Sequence, residues 1–354
     1  MMRSAATTAL TVGLLMAALP LSAAPLAAQD RTLTLMTHDS FFLPEPIIES
    51  FELAHDVDLR LLPAGDAGAM VNQAILTAER PLADVLFGVD NTFLSRALAA
   101  DIFEAYRSPA LAAVPAELQL DPDARVTPID VADVCLNVDL SAFGPDGLPL
   151  PSRLEDLLDP ALAGQLVVQN PATSSPGLAF LLATVAYFGE DAETGWRAFW
   201  TGLRDNGVSV TSGWEEAYYG SFSGGAGEGE LPIVVSYASS PAAEVLFGAD
   251  PDTTEPPTAA VDAGCFRQIE FAGILRGSEE PELAAALIDY LLSPEVQAEL
   301  PLAMFVYPAR SDVALPAAFE QHALVPTAPL SLEPSAIDAG REAWIRQWTD
   351  IVLR

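Results

Sequence analysis

The residues of this chain that could do chemistry are carboxylates, hydroxyls and aromatics, gathered just past the carboxyl ends of short strand-like runs. His38-Asp39-Ser40 follows the first run, Asp66 the second and Asp90-Asn91 the third. A second series brings Thr173-Ser174-Ser175, then Trp214 with Tyr218-Tyr219, then Tyr237 with Ser239-Ser240. Carboxylates beside aromatic faces suit a flat, cationic organic ligand through charge pairing and cation–π contact. Asp39, Asp66 and Asp90 would supply the charge; Trp214, Tyr218, Tyr219 and Tyr237 would supply the faces. Pro176-Gly177 opens a helix over the apolar run from Leu178 to Val185, and free N–H groups at a helix start hold an anion or a hydroxyl. A ligand with a cationic ring and a hydroxyl or phosphate tail fits this set. The blander alternatives are that Asp39 is a turn former, that Asp90 caps the following helix, and that Trp214 and Tyr237 are packing aromatics. Phenolates from Tyr218-Tyr219 with His38 or Asp39 offer a rival chemistry, ferric-ion binding.

Composition removes other classes. Asp and Glu number 49 against 16 Lys and Arg, a formal net charge of −33, and every basic residue is arginine. No lysine is present for a phosphate loop, a Schiff base or a polybasic face. Such a chain repels nucleic acid and anionic membranes. Three histidines (His38, His55, His322) and two cysteines (Cys135, Cys265) are too few and too scattered for a zinc site. No Gly-x-Ser-x-Gly, His-Glu-x-x-His or glycine-rich dinucleotide loop occurs, and no nucleophile–base pair is recognisable, which argues against a hydrolase acting on the same ligand. His322 reads as solvated in a proline-rich tail. No cofactor is expected, and no metal site.

The elements that must position these residues read as α/β layering. At 354 residues the chain suggests two domains, and 51% hydrophobic against 18% charged residues allows both to bury cores. Strands are expected at Thr32–Met36, Leu59–Leu62, Asp84–Gly88, Leu166–Val168, Val208–Val210, Ile233–Ser236 and Gln268–Leu275. Leu283, Leu287, Ile288, Leu291 and Leu292 recur at helical spacing, with Pro281 and Pro294 at first-turn positions, the latter after the capping Ser293. Gly220–Gly229 and Ala249–Pro257 read as surface loops. In open α/β sheets ligands bind beyond the carboxyl ends of the strands, so two such sheets facing one another make a cleft lined from both sides.

Residues 1–28 read as an export signal: Arg3, an apolar run from Ala9 to Leu21, then small residues up to Ala28, with cleavage after Ala24 or near Ala28. Beyond residue 30 no stretch is long and apolar enough to insert stably in a membrane. The expected address is the periplasm. In an oxidising compartment Cys135 and Cys265 either bridge or stay as two buried thiols.

Six ordered motifs carry a resemblance. They are Thr37-His38-Asp39-Ser40-Phe41, Ala83 to Asn91 (ADVLFGVDN), Asn170 to Gly177 (NPATSSPG), Gly213-Trp214-Glu215-Glu216-Ala217-Tyr218, Ser236 to Pro241 (SYASSP) and Met304-Phe305-Val306-Tyr307-Pro308. Together they resemble periplasmic thiamine-binding proteins, the receptors of thiamine ABC importers, over essentially the whole mature chain. The resemblance implies the two-lobed type II periplasmic binding fold, with a ligand cleft between lobes joined by crossing hinge strands. It implies lobes of 29–134 with 268–310 and of 135–267 with 311–354. The implied ligand is thiamine or its mono- and diphosphate, and the implied partners are an ABC permease and its cytoplasmic ATPase. A monomer that is not an enzyme is expected. Carried over position by position, the ligand-binding residues are His38, Asp39, Asp66, Ser174 with Ser175 beside it, Trp214, Tyr237 and Phe305; Tyr218 joins them as an aromatic face. The chain departs from the pattern at His38, where a tyrosine is expected, and at Phe305, where a tryptophan is. Ala242 and Ala243 stand where a second tyrosine often follows Ser-Pro. Family topology puts the strand crossings near Asp133–Asn137 and Ala263–Gln268, which would set both cysteines in the hinge.

Overall fold

The computed structural model describes residues 31–248 and 253–354; the expected export segment lies outside the described residues. Strand β1 (Arg31–Thr37) alternates Thr and Leu, and Leu33 and Leu35 face the interior. After helix α1 (Glu45–His55), β2 (Val57–Pro63) pairs parallel to β1 along its whole length. Helix α2 (Ala67–Leu76) then leads to β3 (Val85–Asp90), buried at every position as a central strand covered on both faces should be. Helix α3 (Leu94–Ala99) and the two-residue β4 (Phe103–Glu104) precede the long β5 (Thr127–Asp139).

A second half follows: β6 (Leu166–Gln169), α4 (Ser175–Phe188), α5 (Trp196–Asp205), β7 (Ser209–Thr211), β8 (Ile233–Tyr237) and α6 (Ser240–Phe247). The chain returns through β9 (Thr258–Leu275), then α7 (Pro281–Leu291), α8 (Pro294–Ala303), β10 (Tyr307–Pro308), α9 (Ala317–His322) and α10 (Pro334–Val352). Ser293 caps α8 by accepting from the Val296 N–H at 3.3 Å. The strands run in the order β2-β1-β3-β9-β5-β8-β6-β7. Both β5 and β9 belong to both halves. The first part of β5 and the last part of β9 pair next to β3, while the remainder of β5 pairs with β8.

One core cluster lies wholly in the first half, between the sheet and α1, α7 and α8. The larger one runs from α2 and α3 through α4 and α5 to α10. There Trp200 meets Phe180 and Trp348 edge-on, with ring centroids 5.6 and 5.5 Å away, and its indole N–H donates to Thr184 Oγ1 at 2.9 Å. The polar end of a deeply buried aromatic is thereby satisfied.

Three elements differ from the sequence reading. β5 is absent from the strands read from pattern, and the resemblance implies only its crossing near Asp133–Asn137, because Pro128, Asp130 and Asp133 interrupt its apolar pattern, yet all thirteen residues are buried. β9 begins ten residues earlier than Gln268. The segment Gly220–Gly229 is not a loose surface loop. It begins inside a π-helical turn (Glu216–Ser221), buries Phe222 completely, and folds back through Gly229 N–H to Phe222 O at 2.9 Å.

The pairing of β5 with β9 shifts register twice, between Pro128 and Asp130 and again in the middle. Val134 lies opposite Phe266 but Leu136 lies opposite Val261, so β9 makes a short excursion there. Cys135 and Cys265 meet at this interruption as a disulfide, with Cα atoms 4.3 Å apart. Beside it Arg267 holds Asp133 through two hydrogen bonds, Nε to Oδ1 at 2.6 Å and a terminal nitrogen to Oδ2 at 3.1 Å. Of the two readings of the cysteines, the bridge is the one the fold takes.

The bridge closes a sequence separation of 130 residues. Closing a loop of that size removes enough unfolded-state entropy to contribute on the order of 4 kcal/mol. The Cys135→Ser/Cys265→Ser double variant is therefore expected to lose several kcal/mol of unfolding free energy in denaturant titration while keeping its fold. An unchanged midpoint would show that the bridge adds no stability.

Candidate functional site

Between the two halves lies a cavity of about 570 Å³. Its first wall is built where β1 and β2 end. The Asp39 N–H donates to Gly65 O at 3.0 Å, and the Asp39 carboxylate accepts from the Gly65 N–H at 2.9 Å. This exchange ties the end of β1 to the loop before α2, so Asp39 is both a turn former and a cavity residue. His38 turns inward beside Phe87, ring centroids 5.8 Å apart. Gly88 makes room for it: at φ +101° it adopts a conformation L side chains rarely take, and a Cβ there would collide with the imidazole.

Asp66 is the residue on which the two walls meet. It caps α2 by accepting from the Ala67 N–H at 2.6 Å. Its Oδ2 accepts from the Trp214 N–H at 3.0 Å, and the Ser175 N–H at the start of α4 donates weakly to the capping Oδ1 at 3.4 Å. A carboxylate of the first half thus takes up backbone donors of the second. Gly68 on α2 allows the approach, since a Cβ there would meet the Thr173 carbonyl carbon at 2.8 Å. Burial pushes the Asp66 pKa up, against the hydrogen bonds that favour its ionised form.

The second wall is aromatic. Trp214 is pinned by its indole N–H, which donates to Ser236 Oγ at 2.9 Å. Tyr219 stands edge-on to it and Tyr237 tilts towards it, centroids 5.3 and 6.0 Å away. Phe305, from the loop after α8, lines the mouth with a left-handed backbone (φ 60°), held as the Ser239 hydroxyl donates to its carbonyl. Strain of this kind gathers at sites where surrounding structure over-determines one conformation.

Of the residues singled out in the sequence, His38, Asp39, Asp66, Ser175, Trp214, Tyr237 and Phe305 all line the cavity. Two do not. Ser174 is completely buried beside Asp66, its hydroxyl without a well-formed hydrogen bond. Tyr218 stacks behind Trp214 with centroids 5.0 Å apart and 19° between planes, and its hydroxyl donates to Glu244 Oε1 at 2.6 Å. Burial first, and the Glu244 charge second, push the Tyr218 hydroxyl pKa well up. Among the described residues no three or more His, Cys, Asp or Glu side chains are grouped to hold a metal ion.

Asp90 lines no part of the cavity. It is fully buried, accepts from the Thr92 N–H at 2.6 Å and is hydrogen-bonded to the Ser175 hydroxyl, a second tie between the halves. The floor of the cavity is Glu270 on β9, which sequence reasoning missed along with its neighbour Asp130 on β5. Glu270 is 5% exposed and lies 3.6 Å from His38 Nε2 through Oε2. A charged residue inside the run Ile269–Leu275, otherwise apolar or glycine, was the signal available. Burial would lower the His38 pKa, but the Glu270 carboxylate beside it raises it above the ordinary value.

Burial, reinforced by the Glu270 charge, pushes the Asp90 pKa up to about 6. The native state then binds this proton more tightly than the unfolded chain. The contribution to stability is full below the unfolded value near 3.8 and is lost as pH rises through about 6. The Asp90→Asn variant is expected to flatten the stability profile between pH 4 and 7 by an amount on the order of 3 kcal/mol, read from denaturant midpoints across that range. A profile parallel to the parent's would remove Asp90 as its cause.

Comparison with known proteins places this geometry. The family model described as bacterial extracellular solute-binding protein matches residues 80–329. The thiamine-binding periplasmic protein of Escherichia coli (strain K12) is 31% identical over 338 residues, covering 94% of this chain and 97% of that protein. A solved structure described as a periplasmic thiamin binding protein superposes with a TM-score of 0.80 at 28% identity, over 93% of this chain and 98% of that one. Iron uptake protein A2 of Synechocystis sp. is more distant, 25% identical over 332 residues, 92% of this chain and 90% of that protein. The two-lobed α/β architecture, with β5 and β9 running between the halves, is that of a periplasmic binding protein. The chain belongs to the bacterial extracellular solute-binding protein family.

Proposed function

We propose that the chain is a periplasmic receptor for thiamine and its mono- and diphosphate, delivering them to an ABC import permease with its cytoplasmic ATPase. One observation carries the reading: an aromatic wall of Trp214, Tyr219 and Tyr237 faces carboxylates of Asp39, Asp66 and Glu270 across one cavity, and no arginine lines it. Thiamine has a permanently cationic thiazolium, an aminopyrimidine able to pair with a carboxylate, and a hydroxyethyl tail. Aromatic faces and acid groups match the first two parts, and the hydroxyls of Ser175 and Ser240 suit the third. The relatives named for thiamine support the same ligand.

In this reading His38, Asp39, Asp66, Ser175, Trp214, Tyr237 and Phe305 contact the ligand, with Tyr218 and Ser174 supporting Trp214 and Asp66 from behind. The lobes divide as 29–134 with 268–310 and 135–267 with 311–354. The protein acts as a monomer, by capture and release and without catalysis, after removal of its export signal. No helix among the described residues is long and apolar enough to cross a membrane.

Calorimetric titration of thiamine into refolded, ligand-stripped protein tests the reading. One-to-one binding is expected, weakened roughly thirtyfold by Trp214→Ala, the equivalent of about 2 kcal/mol for a desolvated cation–π face. No heat and no shift in melting temperature would overturn it.

A phosphate tail and the Asp66 carboxylate compete for the same N–H groups of Trp214 and Ser175. Removing the negative charge in Asp66→Asn is expected to raise the affinity for thiamine monophosphate relative to thiamine, measured as the ratio of the two dissociation constants. A ratio that falls would place the phosphate elsewhere.

A further inference from the structure

Below the cavity the strand pairing assembles a group of acids. Glu270 on β9 lies opposite Asp90 of β3 on one side and opposite Asp130 of β5 on the other. Of the three, Glu270 alone lines the cavity. Its Oε1 accepts from Gln268 at 3.2 Å, and its Oε2 faces His38 Nε2 at 3.6 Å. Asp130 has no exposed surface, and neither of its oxygens has a hydrogen-bond partner. The His38 Nε2 is likewise buried without a well-formed hydrogen bond.

An unpaired, fully buried carboxylate beside a second carboxylate holds a proton, because two adjacent charges cannot both be sustained away from water. Burial, and then the Glu270 charge, raise the Asp130 pKa well above the ordinary carboxylate range. The other titratable or charged groups facing this cluster come from several elements. Asp39 and Asp66 act on His38 from the first wall. Tyr237 of β8 stands over Glu270, and Arg341 of α10 acts on Asp90 from the outer side. The floor therefore sets the Glu270 carboxylate between His38, whose proton it holds more tightly, and Asp130, whose buried carboxyl holds a proton.

We infer that Glu270, His38 and Asp130 form the cation-recognising floor of the cleft, and that a permanently cationic aromatic ring enters in exchange for a proton. The inference rests on the reading of this cavity as the thiamine site. A positive charge placed against Glu270 removes what holds the imidazolium proton and relieves the repulsion that keeps Asp130 protonated. Both responses expel a proton. A neutral ring of the same shape gains nothing from this exchange, so the floor selects for charge where the aromatic wall selects for flatness. Affinity for the cation weakens as pH falls.

The test is calorimetry of thiamine binding to the full ligand-stripped chain between pH 5.5 and 7.5, in buffers of different ionisation enthalpy. Net proton release is expected, with affinity rising by up to about tenfold per pH unit where one proton is displaced. Glu270→Gln is expected to bind thiamine at least tenfold more weakly and to lose the release. Should that variant fail to fold, as judged by its melting transition, Asp130→Asn and His38→Asn each carry the same readout, a smaller release than the parent's. Protonation of the aminopyrimidine would instead register as uptake. Thiamine bound with no net release, or with equal linkage in parent and variant, overturns the inference and leaves the thiamine reading standing. No thiamine binding at any pH overturns both.

Discussion

Everything in this molecule hangs on the pairing of β5 with β9. These two strands carry the only continuous backbone path of the sheet from one half to the other among the described residues, and each half is completed by strands added to their flanks. The constraint is severe, because β5 is buried throughout and still carries Asp130, Asp133, Asn137 and Asp139. Each must be neutralised or satisfied where it stands. Asp133 has Arg267, Asn137 donates to the Tyr237 carbonyl at 3.0 Å, and Asp139 takes the Ser141 and Ser223 hydroxyls. Asp130 alone among them is left without a partner, directly under the ligand cavity. An otherwise unfavourable polar burial is concentrated where function can use it.

The site exists only as a joint product of the two halves. The first wall brings His38, Asp39 and Asp66, and the second brings Trp214, Tyr219 and Tyr237 with Glu215 and Glu216 beside them. Asp66 and Asp90 hold the walls together through Trp214, Ser175 and the start of α4. These contacts are polar and few. They oppose a cost in buried carboxylate charge, visible in the raised pKa of both groups.

The sequence made the two sheet halves, the helix starts at Pro176, Pro281 and Pro294, and most of the cavity lining legible. Strand ends and helix caps have local signatures that survive into the fold. What it concealed has a common cause. β5 hid because a strand buried on both faces among polar partners shows neither alternation nor an apolar run. Glu270 hid because its role depends on what pairs beside it, which no window along the chain reveals. Tyr218 and Tyr219 looked equivalent in sequence, and only the π-helical turn decides that one lines the cavity while the other backs Trp214. The cysteines were legible as either a bridge or two buried thiols, and only the strand register that joins residues 135 and 265 decides for the bridge.

That pair also changes what kind of object the second half is. With the bridge formed, residues 135–265 are a closed covalent ring, and the rest of the chain enters and leaves it at adjacent points on β5 and β9. A single proteolytic cut anywhere within the ring, for instance in the glycine-rich stretch before β8, opens it without dividing the molecule. After such a cut the molecule stays one covalent unit until the bridge is reduced.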